Sequence, residues 1–139
     1  MLTKKDKIEY FKRECKNMHY YKEKVALCNE RLEELANELL GVSSPSTKDV
    51  ILENAGDPYK SNKLYLMVEE ELTMKERDEY VSKIDYINNK LREIKNPVGL
   101  DMVIKLLVER KNLDKVAAEF HMDRSTVWRT INRILSEIL

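Results

Sequence analysis

Residues that interrupt helices are scarce in this chain, which has only three glycines and three prolines among its 139 residues. Strand-like alternation of β-branched residues is also rare, and helix-favouring Lys, Glu, Leu, Ile and Arg dominate. We therefore predict an all-α fold. It should consist of a long N-terminal helical hairpin or coiled-coil-like segment, followed by a small C-terminal helix-turn-helix domain.

Long apolar runs and a disulfide framework are missing as well. No segment approaches the roughly 20 consecutive apolar residues that a membrane span requires, so we expect a cytoplasmic protein with no membrane partner. Cys15 and Cys28 lie in one predicted helix and could not pair without breaking it. Cys15 and His19 have the i, i+4 spacing of two metal ligands, but no second pair accompanies them. We therefore expect neither a metal site nor a cofactor.

The sequence also lacks the usual signs of catalysis. It has no glycine-rich phosphate loop, no carboxylate pair in an apolar setting and no nucleophile beside a base. Ser125 and Thr126 have no histidine at helical spacing. We expect a protein that is not an enzyme.

Charge is balanced overall, with 25 basic and 25 acidic residues, but it is unevenly distributed. Residues 1–28 hold eight Lys or Arg against four Asp or Glu, and residues 124–139 hold three arginines against one glutamate. Because a phosphate backbone responds to charge within about 10 Å in 0.1 M salt, zero net charge does not exclude nucleic acid. The basic stretch 4–24 is either the solvated side of a helix or a second nucleic-acid surface.

Apolar residues spaced by three and four predict one helix over about residues 3–40. They are Ile8, Phe11, Cys15, Met18, Tyr21, Val25, Cys28, Leu32, Leu35 and Leu39. Gly41 is predicted to end this helix, and residues 41–61 form a linker with one helical turn, since turn formers concentrate there. A second helix is predicted over residues 62–95. Two such helices leave apolar surface outside their shared seam, so residues 1–95 should form a dimerisation or interaction region of a homodimer.

Three shorter helices are predicted after the break at Asn96 and Pro97. They span residues 100–110, residues 115–120 with Asp114 as N-cap, and about residues 124–138 with Asp123 as N-cap. A short turn around His121 and the small Ala117 at the helix crossing are typical of a helix-turn-helix. We therefore predict a DNA-binding domain over residues 97–139, with the last helix in the major groove.

The last predicted helix has an apolar side and a polar side. The polar side carries short hydroxyls, an amide and arginines, which are the groups that contact base edges and phosphates. The predicted DNA-binding residues are Arg124, Ser125, Thr126, Trp128, Arg129, Asn132 and Arg133. For the arginines the alternative is a solvated surface, although Glu137 is the only acid in this helix. Trp128 lies at the border and could pack on the first helix of the domain or contact the sugar-phosphate backbone.

The run VAAEFHMDRSTVWRTINRIL, residues 116–135, resembles the helix-turn-helix of sigma-factor region four and of small sporulation-type regulators. Together with KIDYINNKL and MVIKLLVER, within residues 83–110, it resembles phage late-transcription regulators of the RinA and ArpU type. The resemblance implies a sequence-specific DNA-binding transcription regulator that activates late genes of a phage or prophage in a bacterial host cell. Double-stranded DNA would be its partner, and host RNA polymerase a further candidate. His121 stands where such motifs usually have glycine, so it should adopt the left-handed conformation at some strain.

Two other functions fit the same pattern. A DNA-packaging component of the small-terminase kind also joins a helix-turn-helix to oligomerising helices, and a large ring of subunits would favour it. A helical protein-interaction module would bind protein in place of DNA. Indifference to duplex and to salt would favour that module.

Overall fold

Helices make up all of the regular structure in the computed structural model, which describes residues 2–43 and 58–139. In chain order they are α1 (Lys4–Lys16), α2 (Met18–Ser43), α3 (Pro58–Arg92), α4 (Pro97–Val103), α5 (Leu113–Glu119) and α6 (Arg124–Ile138). A π-helical turn, Ile104–Val108, continues α4. The predicted all-α class is confirmed. None of the helices in the described ranges is both long and apolar enough to span a bilayer.

The single helix predicted over residues 3–40 is wrong, because the chain divides at Asn17. The Asn17 backbone has φ −90° and ψ 0°, and its N–H donates to the carbonyls of Arg13 and Glu14, both at 3.1 Å. Asparagine is a weak helix former, so the regular helix is interrupted at this residue.

Gly41 does not end α2, which continues to Ser43, since no glycine of the described residues has the positive φ of a helix C-cap. Residues 44–57 of the predicted linker lie outside the described residues. Residues 58–61, also predicted as linker, belong to the second long helix, which begins at Pro58 and ends at Arg92 instead of spanning residues 62–95.

The described helices form two compact units, Met1–Lys22 with Ser82–Leu139, and Glu23–Val81. The first unit thus combines α1 and the end of α3 with the three C-terminal helices. The predicted domain boundary falls between residues 95 and 97, after the end of α3 and at the start of α4. The division of function between 1–95 and 97–139 stays a prediction.

The unit Glu23–Val81 is an antiparallel pair of α2 and α3. Arg31 of α2 lies 3.8 Å from Glu69 of α3. Cys28 precedes Arg31 in α2, and the residue near it, Glu76, follows Glu69 in α3. Burial raises the pKa of the Cys28 thiol, and the charge of the Glu76 carboxylate raises it further. Contacts that come earlier in α2 therefore come later in α3, so the two helices are antiparallel. The buried residues of this seam are Cys28, Leu35, Leu66 and Thr73. The predicted N-terminal helix pair is confirmed.

One apolar core holds the other unit together. Its fully buried side chains are Phe11 and Cys15 from α1, Ile87 from α3, Met102 and Val103 from α4, Leu107 from the π-helical turn, Val116 from α5, and Val127, Ile131 and Leu135 from α6. Each such side chain contributes about 1.5–3 kcal/mol relative to an exposed one. Helix α1 is therefore part of the core that supports α6.

A buried carboxylate joins α1, α2 and α3 within this unit. Glu14 is 6% exposed; its carboxylate accepts hydrogen bonds from Tyr10, at 2.8 Å, and from Tyr21, and Lys83 Nζ lies 3.7 Å away. Burial alone would raise the pKa of Glu14, but the bonds from Tyr21 and Tyr10 and the charge of Lys83 outweigh it and lower that pKa. The carboxylate stays charged and fixes α1 in place.

The starts of α4 and α5 differ from prediction in ways that polar caps explain. Helix α4 begins at Pro97 because the Asn96 side chain accepts a hydrogen bond from the Val98 N–H at 3.0 Å, and proline needs no donor at the first helical position. The predicted Asp114 cap is wrong. Asn112 caps α5, and its side chain accepts from the Asp114 N–H at 2.7 Å.

Candidate nucleic-acid interface

A four-residue turn, residues 120–123, joins α5 to α6 and sets their crossing. The His121 N–H donates to the Ala118 carbonyl at 3.3 Å and the Met122 N–H donates to the Ala117 carbonyl at 2.9 Å, which together form a Schellman motif. His121 has φ 55°, so the predicted left-handed conformation is confirmed. Arg110 also has a positive φ, 57°, after the π-helical turn, and no sequence pattern predicts this conformation.

Helix α6 has the predicted bounds, Arg124–Ile138, and Asp123 precedes it in extended conformation. The Asp123 side chain does not bond a backbone N–H of the helix; its carboxylate accepts from the Thr126 hydroxyl at 3.3 Å. Val127, Ile131 and Leu135 are fully buried along one side of α6. Because these residues occupy the inner side, the opposite side of the helix faces outward.

That outward side carries most of the predicted DNA-binding residues. Exposed side chains are those of Arg124, Ser125, Arg129, Asn132 and Arg133, whereas Thr126 and Trp128 are half-buried. Arg124 Nε pairs with Asp114 Oδ1 of α5 at 3.1 Å, an ion pair in solvent that contributes little to stability. Arg129 and Arg133 take part in none of the ion pairs between described residues. Their guanidinium groups are available to an anion.

Trp128 packs against α1. The Lys12 ammonium lies 4.8 Å from the centroid of the Trp128 ring, a cation–π distance. The Lys12 side chain is only 12% exposed and also lies 3.6 Å from Glu9. Neither alternative predicted for Trp128 specifies this contact with α1, because a contact between residues so far apart in sequence leaves no local pattern.

Beside this contact, a groove of about 390 Å³ is lined by residues of α1 and α6. Its lining residues are Glu9, Lys12, Arg13, Lys16, Trp128 and Asn132, three basic side chains against one acidic. Arg13 and Lys16 are exposed, and the ion pairs of the described residues do not involve them. These α1 residues are not among the predicted DNA-binding residues of α6, but they lie in the basic stretch 4–24, for which a solvated helix side and a second nucleic-acid surface are the two predicted alternatives.

The outward side of α6 and the adjoining α1–α6 groove together expose the positively charged side chains of arginine and lysine, which donate hydrogen bonds. They also expose the hydroxyl of Ser125 and the amide of Asn132. Arginine guanidinium groups bind guanine edges or phosphates, and asparagine amides pair with adenine.

Comparison of the chain with protein-family models, with curated proteins and with solved structures gives no match.

Proposed function

We propose that this chain is a sequence-specific DNA-binding transcription regulator whose helix α6 enters the major groove. The observation that carries this proposal is the sidedness of α6. On its apolar side Val127, Ile131 and Leu135 are fully buried. Its other side exposes Arg129, Asn132 and Arg133, and neither arginine forms an ion pair with a described residue. A merely solvated helix would be expected to mix acids with bases, and the only acid of α6 is Glu137, near its end.

The dimensions of α6 fit this role. Its 15 residues give a length of about 22 Å at 1.5 Å per residue, and a helix about 10–12 Å in diameter matches a major groove about 12 Å wide. In helix-turn-helix proteins the N-terminal part of the second helix contacts base edges while the first helix crosses the backbone. By that geometry Ser125 and Arg129 would contact bases, and Arg124, beside α5, would contact phosphate.

A second part of the proposal is that two protomers bind together. On α3 the apolar residues Leu64, Val68 and Leu72 follow a spacing of four and are 63%, 47% and 60% exposed. Such a stripe is costly to leave in water, at about 25 cal/mol for each Å² of apolar surface. We propose that it forms a homodimer interface, so that each protomer contacts one half-site.

Sedimentation tests the dimer directly. We expect a dimer at micromolar concentration, and the Leu64→Glu, Leu72→Glu double variant should sediment as a monomer. That variant should lose affinity for two half-sites while keeping its affinity for one. A stable wild-type monomer would contradict the dimer proposal, and a large ring would favour DNA packaging over regulation.

We further propose that the regulator is a phage or prophage late-gene activator acting in the cytoplasm of a bacterial host, with host RNA polymerase as a candidate partner. Support comes from the resemblance of residues 83–139 to that type of protein. Its test is transcription from the operator in vitro, which should rise when the protein is added to host polymerase. A fall in transcription would make the protein a repressor.

The experiment for DNA binding is selection from a random duplex pool, followed by titration of the enriched duplex at several salt concentrations. We expect one enriched motif and a linear fall of log K with log salt, with a slope of about −0.9 for each phosphate neutralised. Absence of enrichment together with absence of duplex binding at low salt would overturn the proposed function.

A further inference from the structure

We propose that α1 is a second DNA-contacting element, in which Arg13 and Lys16, supported by Lys12, bind the phosphates of one strand beside the major groove that α6 occupies. This inference rests on the proposed function, since it takes α6 to lie in that groove. It adds a phosphate-binding element that lies outside the helix-turn-helix. We call Lys12, Arg13 and Lys16 the α1 basic ridge.

The ridge is held against α6 by the core and not by a loop. Phe11 and Cys15 of the same helix are fully buried, and the Glu14 carboxylate ties α1 to α2 and α3. Lys12 stacks its ammonium on Trp128 of α6. Because the ridge is positioned before any ligand arrives, binding by Arg13 and Lys16 costs little ordering of the backbone.

The spacing of packed helices places the ridge over a phosphate strand. Two packed helices have axes about 8–10 Å apart, and half the width of a major groove is about 6 Å. If α6 lies along the centre of the groove, the axis of α1 falls at or just beyond the groove wall. That wall is the sugar-phosphate backbone. Arg13 and Lys16 are exposed, and they line the α1–α6 groove of the protein together with Asn132.

The charges of the α1–α6 groove favour an anion. Three basic side chains against Glu9 give the lining a net charge of +2, and Glu9 is already 3.6 Å from Lys12. Arg13 and Lys16 take no part in the ion pairs of the described residues, so phosphate would not have to displace a carboxylate from them. An acidic protein segment is the competing occupant, and salt dependence on duplex DNA distinguishes the two.

The test compares the Arg13→Ala, Lys16→Ala double variant with wild type on the selected duplex and on an unrelated duplex. Loss of two phosphate contacts should make the salt slope shallower by about 1.8 and lower the affinity by up to about 60-fold in 0.1 M salt. Both duplexes should be affected alike, because phosphate contacts carry no sequence information. Glu9→Gln should have the opposite effect and raise affinity for both duplexes.

The matched control is the Lys4→Ala, Lys7→Ala double variant. It removes the same charge from the same helix, but these lysines do not line the α1–α6 groove. Its affinity and salt slope should stay within about twofold and about 0.5 of wild type. If the control weakens binding as much as the ridge variant does, the ridge has no specific role and the inference is wrong.

The outcomes separate this inference from the proposed function. If wild type binds no duplex, the proposed function fails and the inference fails with it. If wild type binds and Arg129→Ala weakens binding, but the ridge variant keeps the wild-type affinity and slope, only the inference is overturned. Circular dichroism should give all variants the wild-type helicity, because the substituted side chains are exposed.

Discussion

The buried Glu14 network provides a sharp test of how α1 is held in the fold. Tyr21→Phe removes one hydroxyl and keeps the aromatic ring, which also lies 5.4 Å from the Lys83 ammonium. The lost hydrogen bond ends on a charged carboxylate, and both partners are buried, so water cannot replace the donor. Hydrogen bonds to charged groups contribute about 1.5–3 kcal/mol, so we expect a loss of about 2 kcal/mol.

Tyr10→Phe is the matched control, because it removes the other tyrosine hydroxyl from the same carboxylate. Tyr10 is 46% exposed, so water can take its place, and the cost should stay under about 1 kcal/mol. Urea unfolding followed by Trp128 fluorescence measures both variants, since Trp128 belongs to the unit that contains Glu14. Equal costs for the two tyrosines would refute the buried network as the cause.

The same network makes stability depend on pH. The pKa of Glu14 is lowered in the folded state, so its contribution is present above about pH 4.5 and is lost as pH falls through the lower folded value. Burial and the bond to Glu14 raise the pKa of Tyr21 from 10.0 to about 12, so its contribution is full below pH 10 and is lost between those values. The difference between wild type and Tyr21→Phe should shrink at both extremes. A constant difference from acid to alkaline pH would contradict this explanation.

Three further predictions concern local features. His121→Gly should stabilise the fold by about 0.5–1 kcal/mol in thermal unfolding, because glycine adopts φ 55° without the cost of a β-carbon; destabilisation would show that the histidine side chain matters to the fold. Asn112→Ala should cost about 1 kcal/mol and Asp114→Ala clearly less, since Asn112 is the cap of α5; the reverse order would disprove that assignment. Burial raises the pKa of Cys15 to about 12, so thiol reagents at pH 8 should leave Cys15 unmodified until urea unfolds the chain, and rapid native-state labelling would contradict its burial.

Sequence patterns were sufficient for features fixed by neighbouring residues. The bounds of α6 follow from Asp123 and from the apolar spacing of Val127, Ile131 and Leu135, all within one helix. The left-handed His121 follows from the short turn that two helices require. These features are local, so a window of some fifteen residues contains the information.

Features that depend on distant residues were not predictable in the same way. The stripe that includes Phe11 and Cys15 indicated burial, but periodicity does not say which element covers it, and α1 packs in the unit that contains α6. The contact of Lys12 with Trp128 joins residues far apart in the chain. The predicted N-cap of α5 was wrong for a different reason. Asn112 and Asp114 are both good N-cap residues, and only the backbone conformation at Asn112 decides between them.

The central claim is that the exposed side of α6 contacts base edges, and one binding comparison tests it most directly. Arg129→Ala and Arg92→Ala make the same substitution at exposed arginines of one unit, on α6 and at the end of α3. Fluorescence anisotropy on the selected duplex should give a loss of about 1–3 kcal/mol for Arg129→Ala, a weaker preference for that duplex, and little change for Arg92→Ala. Wild-type affinity and preference in Arg129→Ala would contradict the claim.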